Sequence, residues 1–263
     1  MTTKTRPAPD GAWYLGLSSG DVASRCILVG DRGRVDLFGE RLTGTRLLSD
    51  RRGLRTVGGQ YRDVPVTVSA FGMGAPIAAV LLEELAGIGV RVALRAGTAM
   101  SLAPERLPLG SFVVAKAAFR AEGTSLTYAP PGYPAAADPA VVNAVAGVLS
   151  ERKLPHRICI LATADGFYSE MLAPSSDRAE PVERRHEEFR RLGVLAADME
   201  TSALMVVGSL LGVRTGSVCL VSVDGPGRAL LDDEPRKAGE EQLVEVALEA
   251  LIRTPDTVPG AGA

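Results

Sequence analysis

The sequence predicts a single α/β domain: a largely parallel, twisted central sheet with helices on both faces. Three observations carry this. The chain has 263 residues, which fits one large α/β domain better than two small ones. Short, continuously apolar, β-branched runs alternate with segments of helical period. Those runs lack the apolar–polar alternation of a half-solvated strand, so both faces of the sheet are expected to be covered.

The elements follow in order. Residues 1–12 are polar and proline-bearing and read as a flexible arm before a domain spanning 13–253. "RCILV" (25–29) and "VPVTVSAFG" (64–72) are strands. Pro76 sits at a first helical position and opens "PIAAVLLEELAGIG", which glycines close. "VRVALRAG" (90–97) and "SFVVAKAAF" (111–119) are strands, and the Pro, Gly and Ala-rich stretch 123–139 is a long loop. A helix covers 140–153, "RICILAT" (157–163) is a strand, and 181–192 is a charged helix. "METSALMVVGSLLG" (199–212) is helical, "TGSVCLVSVD" (215–224) is a buried strand, and a helix fills 236–253. The last ten residues, 254–263, read as a disordered tail. There is no internal repeat and no evident linker.

Composition narrows the function classes. The formal net charge is -2, which argues against a sequence-independent grip on nucleic acid. No apolar run is long enough to cross a bilayer, so no membrane partner is expected. The N-terminus lacks an apolar segment followed by a small-residue cleavage site, so a secretory signal is not expected and a cytoplasmic location is. Cys26, Cys159 and Cys219 are widely spaced in apolar stretches and read as buried thiols in a reducing compartment. With only His156 and His186 for histidines, a histidine-rich metal site is improbable and no metal is expected.

Three segments share one layout, an apolar strand ending in glycine with a polar or basic residue: Gly30 to Arg34, "FGMGAP" (71–76) and "LRAGTAMS" (94–101). Glycine at a strand end lets backbone N–H groups approach a ligand. Arginine adds a planar, permanently charged fork suited to phosphate. Arg95 is the sharpest clue, since a charge ending an apolar run is costly unless paired. Taken singly, Arg34 or Arg95 reads equally well as the structural partner of an Asp or Glu. The same bias at three strand ends favours an anion site. Neither a Walker loop nor the dinucleotide fingerprint fits.

"VGDRGRV", "FGMGAPIAAVLLEEL", "LRAGTAMSL", "TADGFY", "ADMETSAL" and "VSVDG" occur in the order that characterises the nucleoside phosphorylases of the uridine phosphorylase and hexameric purine nucleoside phosphorylase type. The chain resembles that family from about Trp13 to the last helix. The resemblance implies a single three-layer domain with a mixed, mostly parallel sheet. It implies cleavage of a nucleoside's N-glycosidic bond by inorganic phosphate, a co-substrate rather than a cofactor, to give ribose 1-phosphate and free base. It also implies a homo-oligomer, dimer or hexamer, with shared active sites.

Residue by residue, the resemblance implies that Gly30, Arg34, Arg95 and Thr98 bind phosphate, with Arg52 lent by a neighbouring subunit. On position alone, Arg52 belongs to a solvated basic loop, "RLLSDRRGLR". Glu200 matches the carboxylate that holds the ribose hydroxyls, with Met199 packing on the sugar; Asp198 reads as a helix cap. Tyr14 stands where the family lends a histidine to the 5′-hydroxyl. Ala99, Met100, Phe167 and Met171 fall at the base, and Tyr168 reads as either base pocket or core. Asp224 ends its strand as either a general acid for the leaving base or a turn residue before Gly225 and Pro226.

Four departures from the family pattern bear on specificity. Arg32 replaces a proline, Met100 replaces a glycine and narrows the base site, and Tyr14 replaces the histidine. Met171 and Ala173 replace the Gln and Arg with which uridine phosphorylases read uracil. Because "VSVDG" resembles the purine enzymes of the same branch, a purine or modified purine nucleoside is the expected substrate. The alternatives are a uridine or other pyrimidine nucleoside phosphorylase, a nucleosidase, and a non-catalytic nucleoside-binding homologue.

Overall fold

β1 (Arg25–Val29) shows why its sequence has no polar alternation. Ile27 and Val29 point into one core, Cys26 and Leu28 into another. Both faces of this strand are covered, so every second residue and its neighbour must be apolar. The computed structural model describes residues 11–173 and 175–256.

After β1 come α1 (Arg32–Gly39) and the strands β2 (Thr43–Arg51), β3 (Leu54–Tyr61) and β4 (Val64–Ala70). α2 (Ala75–Gly87) then leads to β5 (Val92–Ser101) and β6 (Phe112–Ala121). The short α3 (Thr124–Tyr128) and α4 (Pro139–Glu151) precede β7 (His156–Ala164) and a π-helical turn, Phe167–Met171. The chain closes with α5 (Ser176–Arg191), β8 (Val194–Asp198), α6 (Thr201–Leu211), β9 (Arg214–Asp224), β10 (Ala229–Leu230) and α7 (Asp233–Arg253).

The ten strands form one mixed sheet in the order β10-β9-β6-β7-β8-β5-β1-β4-β3-β2, and β9 also pairs with β5. β4, β1, β5 and β9 run parallel to one another through the centre. The β2–β3–β4 meander is antiparallel, as are β6–β9 and the short β5–β8 contact at Met100 and Ser101. α1, α4 and α7 cover one face, where Phe38, Val145 and Leu248 meet Ile27 and Val29. α2 and α6 cover the other, where Leu82, Leu85 and Val207 meet Cys26 and Leu28. All three cysteines are free and buried. Burial pushes the Cys159 thiol up to about 12, so it packs as a small hydrophobe.

The structure departs from the sequence reading at polar elements. "RLLSDRRGLR" is not an open loop but the tip of the β2–β3 hairpin, whose turn places Arg52 at φ 53 and Gly53 at φ 83. β2 is the sheet's edge strand and mostly exposed, so it has no apolar signature to read. α1 is eight residues long and starts from an Asp31 cap whose Oδ1 accepts from Gly33 N at 2.9 Å. α3 sits inside the stretch expected to be a loop, and α5 begins five residues before Pro181. At the ends, residues 1–10 and 257–263 lie outside the described residues. Gly11 bridges to Ser18 and Ala12 is buried, so the expected arm is already ordered there. Thr254 is buried and Asp256 pairs with Arg25 at 2.7 Å, so the expected tail begins with packed residues. Among the described residues, no helix is long and apolar enough to cross a membrane.

Candidate active site

The carboxyl ends of β1, β5, β8 and β9 open into one cavity of about 560 Å³, where parallel sheets bind ligands. β1 delivers Gly30 to it and α1 delivers Arg34; β5 delivers Arg95 and the run Gly97–Met100. β8 supplies Asp198, Met199 and Glu200, and the π-helical turn supplies Phe167 and Met171.

Two glycines are required by space. A Cβ on Gly30 would lie 2.9 Å from the Gly72 carbonyl, so the β1 end and the β4–α2 loop approach only without one. A Cβ on Gly97 would lie 2.0 Å from Arg95 Nη1, in the volume that the guanidinium fills.

Arg95 is 5% exposed. Its Nη2 donates to Glu200 Oε2 at 2.5 Å and lies 3.3 Å from Asp198 Oδ2; its Nη1 reaches Cys219 Sγ at 2.7 Å. Burial disfavours the cation, but the Asp198 and Glu200 carboxylates oppose that and leave its pKa raised. Burial also raises the pKa of Cys219, against the pull of Arg95, so Cys219 is a thiol at neutral pH and the ionic partners are the two carboxylates. Glu200 Oε1 also accepts from Gly74 N at 2.7 Å, linking β8, β5 and the start of α2. Asp198 accepts from Thr163 Oγ1 at 2.9 Å and from Thr201 N at 3.2 Å, the capping role read from the sequence.

Arg34 is equally buried. Its Nη1 donates to the Ala96 carbonyl at 3.3 Å and its Nη2 to Glu240 Oε1 at 3.2 Å. The Nε atoms of Arg34 and Arg95 are both buried and find no acceptor among the described residues. A buried N–H without a partner is costly. Both arginines stand in the glycine-bearing wall of one cavity, and their fixed positive charge suits it to an oxyanion.

Most expected residues converge here: Gly30, Arg34, Arg95, Thr98, Ala99, Met100, Phe167, Met171, Met199 and Glu200 all line the cavity. Three do not. Tyr14 and Arg52 lie together elsewhere, the Arg52 guanidinium 5.1 Å over the Tyr14 ring, beside a Trp13 that is 64% exposed. Asp224 lies beside the cavity and not in its wall. Its neighbours Ser222 and Val223 line the cavity, but its own carboxylate turns back and accepts from Gly227 N at 2.8 Å. The turn-residue reading accounts for that position. Tyr168 is neither core nor cavity wall; it is 64% exposed and meets Phe167 edge-on at 5.1 Å.

Sequence reasoning gave no binding role to Arg32, Asp198 or Arg236, all of which line the cavity. Arg32 was visible only as a departure from a family pattern. Arg236 had no signal, since it starts a helix far along the chain from the strand ends. The base end is lined by Met100, Phe167, Met171 and Val223, so its walls are chiefly apolar.

This geometry defines a class, an α/β enzyme with an oxyanion site next to an acidic residue and an apolar pocket. The model of the phosphorylase superfamily matches residues 24–253, and the chain belongs to that family. Its relatives include a uridine phosphorylase of Thermococcus kodakarensis, 32% identical over 91% of this chain and 85% of that one. A guanosine phosphorylase of Halorubrum lacusprofundi is 28% identical over 90% of this chain and 97% of that one. Among solved structures, uridine phosphorylase from Vibrio fischeri superimposes with a TM-score of 0.84, 26% identity and coverage of 94% and 100%. Purine nucleoside phosphorylase from Toxoplasma gondii in complex with immucillin-H gives the same TM-score and identity, covering 94% and 98%. The chain is a nucleoside phosphorylase, hence a pentosyltransferase.

Proposed function

We propose that this enzyme phosphorolyses a pyrimidine nucleoside of the uridine type, giving a free base and ribose 1-phosphate. The observation that carries the anion half is the convergence of Arg34 and Arg95 with Gly30, Gly97 and Thr98 on one cavity. Phosphate held there, with Thr98 beside it, is the nucleophile. Glu200 and Met199 hold the ribose, and Ala99, Met100, Phe167 and Met171 enclose the base. The sugar passes through an oxocarbenium-like state, so catalysis is positioning plus charge stabilisation and needs no protein nucleophile.

The pyrimidine reading replaces the purine preference expected from "VSVDG". That preference rested on Asp224 assisting a purine leaving group, and this carboxylate is engaged by its own turn. Met100 lines the cavity where the family pattern has a glycine, which narrows the base end. Several of the relatives carry the name uridine phosphorylase. A purine is the second reading, favoured by the Halorubrum guanosine phosphorylase and by the lack of Gln and Arg readers beside Met171. The partner expected on the family pattern is a second copy of this chain, whose Arg52 and Tyr14 complete the site.

The test is base release from a panel of uridine, thymidine, inosine and guanosine, each with and without phosphate. Phosphate-dependent cleavage with uridine the best substrate is expected. Better cleavage of inosine or guanosine overturns the pyrimidine assignment, and equal release without phosphate overturns phosphorolysis.

A further inference from the structure

Tracing the ion pairs around the two buried arginines gives an imbalance. Arg95 faces Glu200 and Asp198, and Arg34 faces Glu240. These two buried cations meet three carboxylates, while Arg32, Arg236 and Asp31 add further charge to the cavity wall. Glu240 is the only one of the three whose side chain lies on a terminal helix rather than on the β8–α6 segment, and it does not line the cavity. It holds Arg34 from behind.

The same Glu240 oxygen that lies 3.2 Å from Arg34 Nη2 lies 3.5 Å from Arg236 Nε. Arg236 is one turn earlier on α7, so helical spacing keeps it in reach of Glu240 whatever happens at Arg34. Arg236 also lines the cavity, and its side chain is 53% exposed. Arg34, by contrast, is locked by burial and by Ala96.

Resting on the phosphorylase reading, we propose that Glu240 and Arg236 form a charge switch for the anion site. In the free protein Glu240 neutralises Arg34. Arriving phosphate takes Arg34, and Glu240, which already contacts Arg236, is left to Arg236 alone, which shields the new anion from it. Glu240 is therefore an internal competitor that weakens phosphate binding, and Arg236 is the residue that limits the penalty. Neither touches the reacting atoms; both act through Arg34. The physical basis is that like charges a few ångströms apart in a half-buried setting shift an affinity by roughly tenfold.

The experiment measures phosphate binding by calorimetry without nucleoside, and phosphate KM in phosphorolysis, for the full-length wild type, Glu240→Gln, Arg236→Gln and the double variant. Gln at 240 keeps an acceptor for Arg34 and removes only the charge. It should tighten phosphate about three- to tenfold while nucleoside KM stays within about twofold. Arg236→Gln should weaken phosphate by a similar factor. The double variant should behave like Glu240→Gln, because without the carboxylate Arg236 has nothing to hold. A purely structural role for Glu240 has the opposite sign: phosphate binding unchanged or weaker in Glu240→Gln overturns the switch. So does an Arg236→Gln defect that persists in full in the Glu240→Gln background, which would place Arg236 directly on phosphate. Should Glu240→Gln fail to fold, Glu240→Asp draws the carboxylate back from Arg34, and unchanged or weaker phosphate binding there overturns the proposal equally. Wild-type cleavage without phosphate would remove the phosphorylase reading itself; phosphate-dependent wild type with unshifted variants removes only the switch.

Discussion

Gly97 and the guanidinium of Arg95 share one volume: a Cβ at position 97 would lie 2.0 Å from Nη1. The guanidinium cannot simply swing aside, because Glu200, Asp198 and Cys219 hold it. Gly97→Ala should therefore act as an Arg95 variant in disguise. We expect kcat/KM for phosphate to fall by about a hundredfold, equivalent to roughly 2.7 kcal/mol. Steady-state kinetics at varied phosphate checks this; near-parent activity would mean that Arg95 is not needed in its observed place.

Arg34→Ala should separate the two substrates. It removes a charged contact to phosphate but none to the base, so phosphate KM should rise and kcat/KM should fall by a few kcal/mol at most, about 2–3. Nucleoside KM, measured at saturating phosphate, should move far less. An equal rise in both would place Arg34 in general site architecture.

Glu200→Gln addresses the buried ion pair. Arg95 would keep Asp198 at 3.3 Å but lose its shortest charged partner. Breaking one side of a buried pair typically costs about 3–5 kcal/mol, and the remaining carboxylate should hold the loss to about half that. Denaturant unfolding with and without phosphate measures it. Added phosphate should not restore the lost ribose contact, so activity stays low even where stability returns.

Asp224→Ala tests the turn role against the acid role. Loss of the Gly227 contact should cost about 1 kcal/mol of stability. The rate on the best natural nucleoside should stay within about tenfold of the parent, below the contribution of a true general acid. A larger defect that vanishes for an analogue with a readily departing base would restore Asp224 as the acid.

Arg52→Ala mixed with Arg34→Ala tests the shared site. In one chain Arg52 lies against Tyr14 and away from the cavity. Two impaired variants should regain part of the parent activity after subunit exchange, because one site in the mixed assembly holds both arginines. No recovery after demonstrated exchange would mean that Arg52 does not act across the interface.

Much of this was legible in the sequence because of where burial falls. β1, β5 and β9 are covered on both faces, so their apolar runs could be read directly, and the glycines and arginines ending them stood out as exceptions. Gly30, Arg34 and Arg95 were found this way, Glu200 only through the family resemblance, and all four meet in one cavity. The hairpin of β2 and β3 and the short α1 could not be read, since polar, exposed elements carry no periodic signature. What tertiary structure alone decided is which side chain faces which. Asp224 and Ser222 share the end of one strand, yet the 225–228 turn takes the first and the cavity the second. Glu240 lies some two hundred residues from Arg34 and reaches it, as Arg236 reaches the same cavity, only because α7 packs back across the β1 and β5 faces of the sheet. A strand's composition reports how it is buried. The direction of a terminal side chain, and the partner it meets, depend on contacts between distant segments that no local pattern encodes.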